Sequence, residues 1–253
     1  MRLRGLALCL LFPLAMAGSS AHGQIGKPGV NEQIRIGEGA AAELRAREKV
    51  LPDDDPRVVL LRKVAGKILS SQHDKEPWEF SFDVIDSPEV NAFSLPGGPT
   101  FFFTGLLDKL KTEDELAGVL GHELTHVRQQ HWAHQYAAQM NRDLLLTVGL
   151  MVLKANNDIS NGIGIADDLV FNLPFSRSEE HQADEGGFDL VVAAGYNPIG
   201  MAHVFQVLKD ASRGDKPAPF ASDHPTDESR IQFIKDRVAA SKQSFPTELP
   251  LVY

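Results

Sequence analysis

The segment Gly121-His122-Glu123-Leu124-Thr125-His126 sets two histidines four residues apart, with a glutamate directly after the first. Four residues are about one helical turn, so both imidazoles leave the same face and can share one divalent metal ion. Glu123, one step round from His122, can take a proton from a water activated by that metal. Leu116, Val119, Leu120, Leu124 and Val127 surround the pattern. In such surroundings unpaired imidazoles would be costly, which favours metal binding over a hydrogen-bonded surface pair. A catalytic zinc needs a third protein ligand and an open fourth position. His131 lies nine residues after His122, about half a turn round an unbroken helix, and reads as structural or solvent-facing. The segment Ser176 to Asp184 is the better source, because Glu180 and Asp184 are four apart on an expected helix. One carboxylate can ligate while the other accepts a proton from the far nitrogen of a ligating imidazole. On residue types alone, Glu179 and His181 compete with Glu180.

The elements that must hold these residues are mostly helices, with one strand-rich interruption: an α+β chain. Ile34, Ile36, Ala40 and Leu44 mark a first helix from Asn31 to Val50, stopped by Leu51-Pro52-Asp53-Asp54-Asp55-Pro56. Val58, Leu61, Val64, Ala65 and Ile68 mark a second. Phe80, Phe82 and Val84 alternate with polar neighbours as in a half-buried strand. Asn91 to Leu95 leads through Pro96-Gly97-Gly98-Pro99 into Thr100 to Thr104, a strand pair joined by a tight turn. Thr112-Glu113-Asp114-Glu115 is a capping box that starts a long helix expected to run to Gln139. Leu144 to Leu153 is apolar on almost every side but too short to span a bilayer, and reads as a buried helix. Asp158 to Leu173 reads as a loop. Helices follow at Glu179 to Ala194, Gly200 to Ala211 and Asp227 to Ser241, the last two separated by a Gly/Pro-rich connector from Gly214 to His224.

Length and composition fit this picture. The chain has 253 residues, 43% of them hydrophobic and 23% charged, which suits a folded domain and excludes a disordered tail or a disulfide-stapled miniprotein. With 34 acidic against 25 basic residues, its overall field repels phosphate backbones, so nucleic acid is not an expected partner. Residues 1–23 read as a secretory signal peptide: Arg2 and Arg4 precede the apolar run Leu6 to Ala17 and a series of small residues. Its cleavage would remove two arginines and Cys9, leaving 23 basic against 34 acidic residues, a net charge of −11 and no cysteine. An exported chain of that kind must build any metal site from His, Asp and Glu.

His122-Glu123-x-x-His126 followed by Glu180-x-x-Ala183-Asp184 resembles the HtpX-type metallopeptidases, a family that includes the CAAX prenyl endopeptidases, the Oma proteins and the periplasmic beta-barrel assembly-enhancing protease. Four further motifs carry the likeness: Asn91-Ala92-Phe93 with Pro96-Gly97-Gly98, Ser176-Arg177, Gly195-Tyr196-Asn197-Pro198, and His224-Pro225 with Arg230-Ile231. They extend it over Val58 to Val238.

The resemblance implies a zincin-like, gluzincin-type domain over residues 57–241 with a small sheet beside the active-site helix. Residues 24–56 would be a helical extension and 242–253 a tail. It implies one Zn²⁺ per subunit held by His122, His126 and Glu180, with Glu123 as base, Asp184 orienting a ligand and Arg177 supporting the site. His224 would lie over the centre, stabilising an oxyanion or filling the fourth zinc position at rest. Arg230 would form an ion pair or touch substrate, and Asn91, Ala92 and Phe93 would line the path of an extended polypeptide. The activity implied is endopeptidase cleavage of unfolded or misassembled envelope proteins in the periplasm, by an enzyme either soluble or peripheral to a membrane. A periplasmic chaperone or adaptor with a closed or structural zinc site is the alternative.

Overall fold

The structure, a computed structural model, describes residues 26–72, 76–152, 175–211, 219–220, 224–225 and 228–253, with the side chains of 143–152 left out. The expected signal peptide, the loop from Asp158 to Leu173 and most of the connector from Gly214 to His224 lie outside the described residues. The apolar side chains of Leu144 to Leu153 do too.

Helix α1 (Val30–Arg47) and α2 (Pro56–Ser70) come first, with the Asp55 carboxylate accepting from the Arg57 N–H to cap α2. Strands β1 (Ser81–Ile85), β2 (Ala92–Ser94) and β3 (Pro99–Phe103) follow in the order β1-β3-β2. The expected hairpin is present as β2 and β3, antiparallel with Phe93 opposite Phe101. Its turn takes Gly97 to φ 88° and Gly98 to φ 133°, where a side chain would be strained. A Cβ on Gly97 would also lie 2.4 Å from the backbone of Ile34, so α1 rests directly on the turn.

Strand β1 pairs parallel with β3, with Val84 opposite Phe102, a neighbour relation not visible in the alternation of Phe80, Phe82 and Val84. It is also not half-buried, because both faces of the sheet are covered. Phe82, Val84, Ala92 and Phe102 face the main helical core, while Ile85, Phe93, Phe101 and Phe103 pack with Ala40, Ala41 and Leu44 of α1. Arg45 of α1 donates from Nε to Asp83 at 2.8 Å, neutralising the one acid in the strand.

The short helix α3 (Thr104–Leu107) leads to α4 (Glu113–Arg128), α5 (His131–Val152), α6 (Arg177–Ala193), α7 (Ile199–Ala211) and α8 (Glu228–Ala240). The Thr112 capping box forms as expected: its hydroxyl accepts from the Glu115 N–H at 3.1 Å and the Glu115 side chain returns to the Thr112 N–H. The long helix expected from Glu113 to Gln139 is two helices. Helix α4 stops at Arg128, and Gln130 adopts φ 57°, a left-handed backbone unusual outside glycine. The tail from 242 to 253 lies along the start of α4, where Asp114 accepts from the backbone N–H groups of Asn197 and Leu249. Among the described residues no helix is long and apolar enough to cross a membrane.

Candidate metal centre

Helix α4 carries His122, Glu123 and His126, and α6 carries Glu180 and Asp184. The two helices approach closely at Gly121 and Gly187: a Cβ on Gly187 would lie 2.9 Å from the His122 nitrogen, and one on Gly121 would lie 2.9 Å from the Gly187 carbonyl oxygen. That proximity lets a glutamate of α6 reach the imidazoles of α4. Which glutamate does so is settled by a second capping box. The Ser176 hydroxyl accepts from the Glu179 N–H at 3.3 Å, and Glu179 returns a bond to the Ser176 N–H at 2.8 Å. Glu179 is thus occupied at the helix start, and Glu180 turns inward. The Ser-x-x-Glu spacing at Ser176 was the signal in the sequence that separates the two.

His122 Nε2, His126 Nε2, His224 Nδ1 and the Glu180 carboxylate converge, with ligand atoms all within 4.8 Å of one another. The imidazole nitrogens of His122 and His126 are 3.0 Å apart, His224 Nδ1 lies 3.2 Å from His122 Nε2, and Glu180 Oε1 lies 2.9 Å from His224 Nδ1. Glu180 is also 3.5 Å from each of the other two imidazoles. A tetrahedral zinc with bonds near 2.1 Å holds neighbouring donors roughly 3.4 Å apart, so the residues present fit such an ion. All four are nearly inaccessible, from 1% to 4% exposed.

Glu123, buried beside the cluster, has one carboxylate oxygen, Oε1, with no hydrogen-bond partner, and it lies 3.6 Å from His224 Nε2. Burial pushes its proton affinity up, opposed by the His224 and His122 rings and by the Ser94 N–H. Burial pulls the His122 ring down, but Glu180 and Asp184 outweigh it and hold the ring at about 9, whereas burial wins at His126 and lowers it well below the usual imidazole range. Burial disfavours the charged form of Glu180, yet the His224 and His122 rings hold it well below the usual carboxylate range.

Asp184 accepts at 3.1 Å from His122 Nδ1, the nitrogen turned away from the cluster. The Arg230 guanidinium lies 2.6 Å from Glu180 Oε2, bonds Asp184 twice, and donates to the Pro225 carbonyl. It is a counter-charge for two buried acids, the ion-pair side of its expected role. Arg177, expected to support the site, is exposed and lines a cleft of about 320 Å³ together with Glu180, Asp184, Arg230, Phe175 and Phe233. Phe175 stacks on His126 at 4.0 Å between ring centres and Phe220 stacks on His224 at 4.6 Å, two aromatic covers that no motif indicated.

His131 corrects its expected place. The break after Arg128 returns it to the site, where it is buried and its Nδ1 lies 2.9 Å from His126 Nδ1, although it is not among the four clustered ligands. In the strand segment, Phe93 packs its ring on Phe101 under α1. Leu95 N–H bonds the Pro99 carbonyl and Phe103 N–H the Asn91 carbonyl, so the odd positions pair with β3 and the backbones of Ala92 and Ser94 face away from it. The Asn91 amide is buried with neither its oxygen nor its nitrogen partnered.

Residues 59–238 match Peptidase family M48. The chain is 32% identical over 209 residues to the mitochondrial metalloendopeptidase OMA1 of Schizosaccharomyces pombe, covering 80% of this chain and 60% of that protein. It is 25% identical over 221 residues to the beta-barrel assembly-enhancing protease of Yersinia pestis, covering 84% and 45% respectively. It is 25% identical over 214 residues to the metalloprotease LoiP of Escherichia coli K12, covering 81% and 80%. The chain thus spans about half the length of the first two relatives and most of the third. The family resemblance read from the motifs holds: with the match running from α2 to α8, the chain belongs to Peptidase family M48.

Proposed function

We propose that the protein is a zinc-dependent metalloendopeptidase of the cell envelope, exported to the periplasm, that cleaves unfolded or misassembled proteins. The observation that carries the activity is the buried, unpartnered Glu123 oxygen beside three imidazoles and a carboxylate within 4.8 Å of one another. Zinc held by His122, His126 and Glu180 would polarise a peptide carbonyl and lower the pKa of a water. Glu123 accepts that water's proton at Oε1 and returns it to the leaving amine. Its burial keeps its proton affinity raised, which suits a group that must both take and give a proton. Substrate in extended form adds to β2 through the outward backbone of Ala92 and the Ser94 carbonyl, a mode that tolerates many sequences. Export is supported by the apolar run Leu6 to Ala17, and a protein-folding context by relatives named for beta-barrel assembly.

The test is cleavage of casein by the zinc-loaded protein, with and without a chelator, and by Glu123→Gln. Cleavage lost to the chelator, and lost in Glu123→Gln while zinc and fold are retained, supports the reading; full activity in Glu123→Gln overturns the assignment of the base. A chaperone with a closed site is the second reading, favoured by His224 Nδ1 lying inside the cluster. It predicts stoichiometric zinc with no chelator-sensitive cleavage.

A further inference from the structure

We propose that His131 and Gln182 form a neutral hydrogen-bond relay that fixes the tautomer of His126, making His131 a positioning residue for the metal centre. The inference rests on the metal-centre reading above. His122 and His126 are oriented by unlike means. The outer nitrogen of His122 lies 3.1 Å from the Asp184 carboxylate, with Arg230 Nη2 at 3.4 Å; the carboxylate accepts only, so with metal bound His122 keeps its proton there and gives Nε2 to the ion. The outer nitrogen of His126 meets no acid; it faces His131 Nδ1 at 2.9 Å.

Two ring nitrogens at that distance share one proton between them. His126 must keep Nε2 bare to serve as a ligand, which places its proton on Nδ1 and makes His131 Nδ1 the acceptor. His131 then carries its own proton on Nε2, and that nitrogen lies 3.2 Å from Gln182 Oε1, an oxygen that accepts. The other end of that amide lies 3.5 Å from Ser178 Oγ in the preceding turn of α6, a hydroxyl that can accept from it. With the amide reversed, its NH₂ would meet His131 Nε2, the His131 proton would move to Nδ1, and His126 would be driven to protonate Nε2, the atom that must bind metal. One amide orientation therefore selects the competent form of a ligand two residues away in the relay.

The backbone is arranged to allow this. On a continuous helix His131 would point about half a turn away from His126. The left-handed conformation of Gln130, φ 57°, ends α4 and swings His131 back, at a strain of about 1–3 kcal/mol. Gln33 of α1, buried, donates to the Gln130 side-chain oxygen at 3.0 Å and to the Pro28 carbonyl at 2.8 Å, holding the turn from the far side. Helices α4, α5 and α6 thus meet at one chain of three side chains, each polar atom of which is accounted for.

The experiment measures zinc affinity of the full-length protein by competition with a chelating indicator. His131→Ala is expected to weaken zinc binding about 10- to 100-fold, the usual effect of removing the partner of a ligating imidazole. Gln182 is exposed, so its variants keep the fold in question out of the test. Gln182→Lys, which offers His131 only donors, should weaken zinc binding as His131→Ala does, whereas Gln182→Glu, which offers only acceptors, should stay within threefold of the parent. A residue that merely fills space would not distinguish lysine from glutamate at the far end of the relay. Nitrogen-15 spectra of the zinc-loaded protein should show His131 protonated on Nε2 and bare on Nδ1. Parental affinity in either His131→Ala or Gln182→Lys, or a proton on His131 Nδ1, overturns the proposal. A parent that binds no zinc overturns the metal-centre reading instead, so the two failures are told apart.

Discussion

Arg230 on α8 grips Asp184 on α6 with two parallel hydrogen bonds, Nε to Oδ2 at 2.7 Å and Nη2 to Oδ1 at 2.6 Å, with both side chains buried. The same guanidinium lies 2.6 Å from Glu180. One cation therefore serves the acid that orients His122 and the acid that joins the metal cluster, and it is attached to the last helix of the fold. The Arg230 and His122 contacts hold Asp184 below the usual carboxylate range although burial opposes them.

Arg230→Ala leaves two buried carboxylates without their cation. Breaking a buried pair from one side typically costs about 3–5 kcal/mol, so denaturant unfolding of the metal-free protein should show a loss of that order. Arg230→Lys should recover little, because an ammonium cannot match the forked geometry at Asp184. Recovery of parental stability by lysine would show that charge alone matters there.

Much of this centre was legible in the sequence, and the reasons differ residue by residue. His122, Glu123 and His126 were visible because a helix turns spacing directly into a shared face. Glu180 and Asp184 gained their places through the resemblance, yet the capping box that separates Glu179 from Glu180 is local and could have been read at Ser176. The break at Gln130 could not. Val127, Arg128, Gln129 and Gln130 carry no glycine or proline, and the turn is held by Gln33, 97 residues earlier. Parallel pairing of β1 with β3 was hidden for the same reason: period-two alternation reports which side chains share a face, not that α1 covers the second face.

Gly187→Ala tests the close crossing of α4 and α6. The added Cβ would meet the His122 backbone nitrogen at 2.9 Å and the Gly121 carbonyl carbon at 3.0 Å, rigid atoms that cannot turn aside. The helices must separate by a few tenths of an ångström, at about 1–3 kcal/mol, and Glu180 moves with α6. We expect lower thermal stability together with weaker zinc retention under chelator challenge. Unchanged zinc retention would mean that Glu180 does not depend on this contact for its position.

Asn91→Leu is expected to separate stability from activity. Both amide atoms of Asn91 are buried without a partner, so a leucine of the same branched shape removes an uncompensated desolvation cost and should leave the fold as stable as before or more so. If that amide waits for the backbone of a bound polypeptide, cleavage of casein should fall about 10-fold or more, with zinc content unchanged. Full cleavage by a stable Asn91→Leu protein would remove this residue from the substrate path.

The edge strand offers the sharpest contrast between fold and substrate, because a proline removes an N–H while its fixed φ is tolerated at a sheet edge. At Phe93 that N–H belongs to the positions paired with β3, so Phe93→Pro should break the hairpin and lower stability. At Ala92, one residue earlier, the N–H points away from β3, so Ala92→Pro should fold and bind zinc normally. What Ala92→Pro loses is one of the outward backbone groups through which an extended chain would pair. Its expected signature is a lower kcat/KM on unfolded casein, at unchanged melting temperature and zinc content. Equal kcat/KM in Ala92→Pro and parent would show that substrate does not pair with β2 at this position.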